Sequence, residues 1–152
     1  EALAKRLVTL DPKHASGYRQ RHEDFARRWR AAIARWEREG AILKGKHAIS
    51  LHKSWTYLYR WLGIHEVAVL EPRPGVPPTS SHLAQILTQQ KRSSAQMIVL
   101  AAYQDPQAAQ WLHEQSGLPV IKLPYTVGGN EKAVDLFALF DDTITRLKGA
   151  IR

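Results

Sequence analysis

Ala48-Ile49-Ser50-Leu51-His52-Lys53-Ser54-Trp55-Thr56-Tyr57-Leu58-Tyr59-Arg60-Trp61-Leu62-Gly63 changes its period halfway along. Ala48, Ile49 and Leu51 form a short apolar run that predicts a buried parallel strand. From Trp55 onward the apolar residues Trp55, Leu58, Tyr59 and Leu62 return in steps of three and four, which predicts a helix stopped by Gly63. The same change recurs downstream. Strands are expected near 47–51, 65–70, 96–101 and 119–123, and helices near 54–62, 81–91, 106–116 and 132–150. A nearly all-apolar strand such as Met97-Ile98-Val99-Leu100, alternating with amphipathic helices, implies a parallel sheet covered on both faces. The fold class expected is therefore α/β: a four-stranded parallel sheet with right-handed crossovers. Start signals agree, with Ser80 or Ser81 ahead of Leu83 and Asp105-Pro106 ahead of Trp111. Glu71-Pro72-Arg73-Pro74-Gly75-Val76-Pro77-Pro78 is too proline-dense for helix or strand and reads as stiff, extended chain.

Upstream, Leu3, Leu7 and Leu10 read as the tail of a helix closed by Asp11-Pro12. That pair also opens the next helix, with Asp11 as N-cap and Pro12 at its first position. Ala15, Tyr18, His22, Phe25, Trp29, Ala32 and Trp36 then make one stripe ending at Gly40. The stripe describes a helix of roughly 27 residues, about 40 Å long. It outreaches a lobe of this size, so it is expected to join two bodies. The domain reading is a backbone helix region at 1–46 and an α/β lobe at 47–152. Tyr18, Phe25, Trp29 and Trp36 carry more apolar area than one small lobe covers, which predicts partial exposure or self-association of the isolated chain.

Composition limits the alternatives. Hydrophobic residues make 44% and charged residues 24% of 152 residues, values of an ordinary globular chain and neither disorder nor a fibre. No run of 18 apolar residues and no charged-then-apolar leader occurs, and Glu1-Ala2-Leu3-Ala4 reads as the interior of a helix. With no cysteine, thiolate metal sites and disulfides are excluded. The net charge of +8 is concentrated in residues 1–46, which hold twelve Lys/Arg against six Asp/Glu. A basic patch suits nucleic acid or anionic lipid. Here Glu23, Asp24, Glu37 and Glu39 interrupt the arginines, the pattern of a solvated helix face.

Seven histidines invite a metal reading, but no HExxH pair is present. His22 falls on the apolar stripe. His14 lies eight residues from His22 on the long helix, and His47, five from His52, would point to the opposite face of one strand. His65, His82 and His113 have no partner at ligand spacing and are expected at the surface. His52 differs, because it follows a strand, and open α/β sheets collect ligands beyond the carboxyl ends of their strands. Neutral imidazole is also the commonest protein metal ligand. On the residues alone His52 reads equally as a ligand and as a plain loop histidine. Thr126-Val127-Gly128-Gly129-Asn130 joins a strand to a helix, so its N–H groups suit an anion, although its spacing is that of no known phosphate loop. Asp141-Asp142 reads as the solvent side of the last helix.

Together these segments resemble the C-terminal half of the metal-binding solute receptors of bacterial ABC importers, the cluster A-I group serving zinc and manganese uptake. Leu10-Asp11-Pro12 before a long helix is similar to that family's interlobe backbone helix. His52-Lys53-Ser54-Trp55-Thr56-Tyr57-Leu58 resembles the segment supplying its third metal ligand. Glu71-Pro72, Ala101-Ala102-Tyr103 and Leu123-Pro124-Tyr125-Thr126-Val127-Gly128-Gly129 fall where members carry similar segments. The resemblance implies a non-enzymatic periplasmic or extracytoplasmic receptor that grips a divalent ion between two lobes and passes it to a membrane permease. His52 is then the metal residue of this chain, with no catalytic residue and no nucleic-acid partner. An imidazole there suits zinc, and manganese less, since manganese prefers oxygen ligands. The family's first two histidines would belong to an N-terminal lobe outside this sequence. Its fourth ligand, often an aspartate after the last strand, has no carboxylate counterpart in Pro124–Gly129. Water, a three-histidine arrangement or a ligand in the missing part are the options. Two rival classes are a nucleic-acid module using the Arg-rich helix and a small α/β enzyme using Gly128-Gly129. An upstream leader and a lobe with two cleft histidines would exclude both.

Overall fold

In the computed structural model, residues 1–73 and 75–151 are described. The chain divides into two units, Glu1–Arg38 and Glu39–Arg152. In the first, helix α1 (Ala2–Leu10) is followed by a 3-10 turn at Pro12–His14 and then by α2 (Ala15–Gly40), which runs unbroken through Gly17 and past the unit boundary. The helix thus begins three residues later than the proline suggests. Asp11 does not cap it: the carboxylate instead accepts from the Tyr18 hydroxyl at 2.9 Å and meets His14 Nδ1 at 2.8 Å. Along the stripe, Phe25 stacks on Trp29, and Trp29 meets Trp36 edge-on at 5.1 Å between centroids. Phe25 nonetheless stays exposed, as do Leu3 and Leu10. Arg27 and Arg28 share Asp24, as the interleaved charges lead one to expect.

The second unit holds β1 (His47–Ser50), α3 (Thr56–Leu62), β2 (His65–Val69), α4 (Ser80–Ser93), β3 (Met97–Ala101), α5 (Gln107–Ser116), β4 (Val120–Leu123) and α6 (Leu136–Gly149). All pairings are parallel, in the order β2-β1-β3-β4. Side chains alternate between two cores, as strand geometry requires. Ala48, Met97, Val99 and Leu123 pack with Tyr59, Leu62 and Leu147 on one face. Ile49, Ile98 and Leu100 pack with Ile86, Ala109 and Leu112 on the other. Both faces are therefore covered by helices, the architecture that the apolar strands imply. Between Ala48 and Ile49 the β1–β2 register shifts by one residue, a bulge that leaves Val67 without a partner.

Element ends depart from the sequence reading in instructive ways. Gly63 does stop α3, in a left-handed conformation. Thr79, rather than Ser80 or Ser81, caps α4, accepting from the His82 amide at 3.2 Å. Helix α6 starts four residues late, at Leu136, capped by Asp135. Residues 71–73 and 75–79 are neither helix nor strand, as the proline density requires, but the stretch is not extended throughout: Val76 N–H donates to Arg73 O at 3.1 Å; Pro74 and Arg152 lie outside the described residues. Among the described residues no helix is long and apolar enough to cross a membrane.

Candidate functional site

Because every strand is parallel, the loops after β1, β2, β3 and β4 all leave the same end of the sheet. Hydrogen bonding between β1 and β2 continues past the strands themselves. Leu70 N–H donates to Ser50 O at 2.9 Å, and Glu71 N–H donates to Leu51 O at 2.8 Å. On the other side, Leu51 N–H donates to Val99 O of β3 at 2.8 Å. Leu51 and Leu70 are fully buried and anchor the two chains as they leave the sheet. The next residue on each chain is the polar one, His52 and Glu71. His52 Nε2 lies 2.5 Å from Glu71 Oε2, with side-chain exposures of 19% and 15%. The loop turns back at once, with Ser54 N–H donating to His52 O at 2.8 Å, and Trp55 dives into the core ahead of α3.

The sequence reading of His52 located it correctly at the end of a strand. It gave Glu71 no site role, taking it as the opening of a proline-rich stretch and as part of the family resemblance. The signal was present: Glu71 is the first polar residue after one apolar strand, as His52 is after its neighbour. The other histidines are elsewhere and engaged differently. His47 Nδ1 meets Ser93 O, and its ring lies edge-on to His65 because the register pairs those residues. His82 and His113, expected only at the surface, bond the carbonyls of Val69 and Leu118. Among the described residues no three or more His, Asp or Glu side chains gather in a way that could hold a metal ion. Within hydrogen-bond distance of each other at this end of the lobe stand His52 and Glu71.

At the same end of the sheet, an aromatic chain links three loops. Tyr125 after β4 meets Trp55 at 5.5 Å and Tyr103 after β3 at 5.6 Å, both edge-to-face. Tyr103 and Tyr125 are exposed. Trp55, Leu58, Pro124, Tyr125, Phe140 and Thr143 border an apolar cavity of about 130 Å³. Beneath the loop, the buried hydroxyls of Ser50 and Tyr59 bond at 3.0 Å. Burial pushes the Tyr59 hydroxyl above the usual phenol range, so it remains a neutral phenol at neutral pH.

The Gly128-Gly129 turn is closed on itself. Gly128 N–H donates to Ala133 O and Gly129 N–H to Thr126 O, so these two amides are already used. A Cβ at Gly129 would stand 2.9 Å from Thr126 O, so this close approach needs glycine. Asn130 Oδ1 accepts from the amides of Lys132 and Ala133, while its Nδ2 donates to Asp142 Oδ2 at 2.7 Å. Asp142, taken from sequence as solvent-facing, is in fact buried; Arg146 Nε also donates to it, at 2.6 Å. Burial alone would raise its carboxyl, but the bonds from Asn130 and Arg146 outweigh that and hold it below the ordinary carboxylate range.

A family model described as zinc-uptake complex component A, periplasmic, matches residues 1–150. No curated protein sequence matches the chain. Among solved structures, the solute-binding protein FpvC of Pseudomonas aeruginosa in complex with Mn2+ is similar over 97% of this chain and 58% of that one, at 22% identity and a TM-score of 0.71. A crystal structure of ZnuA reaches 0.75 at 18% identity, over 97% of this chain and 54% of that one. The laminin-binding protein Lmb of Streptococcus agalactiae, described as having adhesin and metal transporting activity, reaches 0.69 at 20% identity, over 95% and 58%. At these identities the likeness is one of fold. The chain spans a little over half the length of each.

Proposed function

The chain belongs to the periplasmic zinc-uptake component A family, and on that premise we propose that the intact protein is the solute-binding subunit of a metal ABC importer. In this reading residues 1–46 form the backbone helix region and residues 47–152 the C-terminal lobe. The receptor is extracytoplasmic, has no catalytic step, and hands a divalent ion to its membrane permease. The observation that carries the proposal is His52: an imidazole about four-fifths buried at the carboxyl end of an interior strand, on the sheet end where the loops converge.

Zinc is the preferred cargo, because imidazole suits a borderline ion better than it suits manganese. High-affinity zinc sites use about three or four protein ligands. This chain alone therefore binds zinc weakly, and the missing lobe supplies the remaining ligands. The closed Gly128-Gly129 turn argues against the enzyme alternative, and the sharing of Asp24 by Arg27 and Arg28 argues for a solvated helix rather than a nucleic-acid face. The test is calorimetric titration of zinc and manganese into the intact receptor and its His52→Ala variant. Tight binding by wild type, zinc ahead of manganese, and loss of most affinity in the variant are expected. Undiminished binding in the variant overturns the assignment of His52.

A further inference from the structure

We propose that Glu71 is a second metal ligand of this lobe, coordinating the ion beside His52. The inference rests on the reading of His52 as a ligand and adds the carboxylate that the loop after β4 lacks. Three observations carry it. First, the pair is built by the sheet: consecutive bonds from Leu70 N–H to Ser50 O and from Glu71 N–H to Leu51 O fix both backbones. Second, the two donor atoms already face each other at 2.5 Å. Nitrogen and oxygen ligands about 2.1 Å from a tetrahedral ion stand roughly 3.4 Å apart. Side-chain rotation of less than about 1 Å opens that gap, and the ion takes the place of the proton shared by Nε2 and Oε2, which leaves to water.

Third, Glu71 meets Nε2, the ring nitrogen farther from the backbone. A carboxylate that merely orients a ligating histidine bonds the ring nitrogen turned away from the metal. Here Glu71 and His52 keep similar small exposures, 15% and 19%, so both side chains reach the surface at the same loop end. Neither contributes to the buried polar side-chain atoms left without a partner, which among the described residues are Trp55 Nε1, Glu66 Oε1 and Gln104 Nε2. A carboxylate oxygen also widens the range of ions the site accepts, since hard oxygen donors suit manganese.

The intact receptor is titrated with zinc and with manganese as wild type, Glu71→Gln, Glu71→Asp and His52→Ala, and each protein is loaded with Co(II) for its visible spectrum. Glu71→Gln keeps the size and an acceptor but is a poor ligand. It should lose more than about 100-fold in zinc affinity, beyond the 10–100-fold usual for an outer partner. Its manganese affinity should fall further still, and its Co(II) bands should shift. Glu71→Asp should recover part of the affinity and the wild-type bands. Metal-free unfolding midpoints close to wild type show that the losses are not misfolding. An unchanged Co(II) spectrum in Glu71→Gln overturns the proposal, whatever the affinity. Loss in Glu71→Gln with tight binding in His52→Ala keeps the carboxylate and removes the histidine, and tight binding in both removes the two together.

Discussion

Two loops leave the same end of the sheet and use their polar side chains in opposite ways. The loop after β4 turns its central polar groups inward: Gly128 and Gly129 amides on loop carbonyls, Asn130 on two amides and on Asp142, Asp142 on Arg146. The loop after β1 closes with a backbone bond at Ser54, and its histidine meets Glu71. A saturated loop holds shape. An unsaturated one keeps chemistry available. The contrast says that loop position at a sheet end is necessary for a site and not sufficient, and that counting the bonds already made separates the two cases.

The comparison breaks most sharply through His52→Ala, expected to cost the intact receptor more than about 100-fold in zinc affinity while moving the unfolding midpoint little. If both changed together, the loop after β1 would be structural too. Asp142→Ala should do the reverse. Removing one partner of a buried pair costs about 3–5 kcal/mol, and the partial exposure of Arg146 reduces that to about 2 kcal/mol. Urea unfolding reads that loss, and zinc affinity should stay within about threefold. Gly129→Ala forces a methyl group against Thr126 O and should cost about 1–2 kcal/mol of stability in the same assay.

The smallest effect is one of pH. Asp142 is depressed in the folded state, so its contribution is complete above the ordinary carboxylate range and is lost as pH falls through the folded value. Stability should therefore drop on the acid side, and Asp142→Asn should flatten that limb while leaving the neutral plateau lower. An acid limb of unchanged slope in the variant would place the titrating group elsewhere.

Much of the fold was readable because it is periodic. Trp55, Leu58, Tyr59 and Leu62 mark a helix by spacing, and Met97 to Ala101 mark a strand buried on both sides. Contacts that depend on partners far along the chain were not readable. Asp142 looks solvent-facing by its charge; only Asn130, twelve residues upstream, and Arg146, one turn on, make its burial tolerable. With Thr79, Ser80 and Ser81 in succession, spacing alone could not select the cap. The late start of α6 follows from Asn130 Oδ1 holding Lys132 and Ala133 in a turn, a competition that helix propensity does not record. His52 was visible because it sits at a period change. Glu71 was invisible because its meaning depends on which strand lies beside it.

The bulge at Val67 gives that neighbourhood its address. Up to Ala48 each β1 residue faces the one 18 positions on, as His47 faces His65; from Ile49 onward the offset is 19, as Ser50 faces Val69. Carried two residues further, the second offset sets His52 across from Glu71, whereas the first would have set it across from Leu70. One extra residue in an edge strand, buried in neither ladder nor loop, thus decides whether the histidine meets a carboxylate or a hydrocarbon. The chemistry of this sheet end is a matter of counting, and the count is kept four residues ahead of the carboxylate it brings to the histidine.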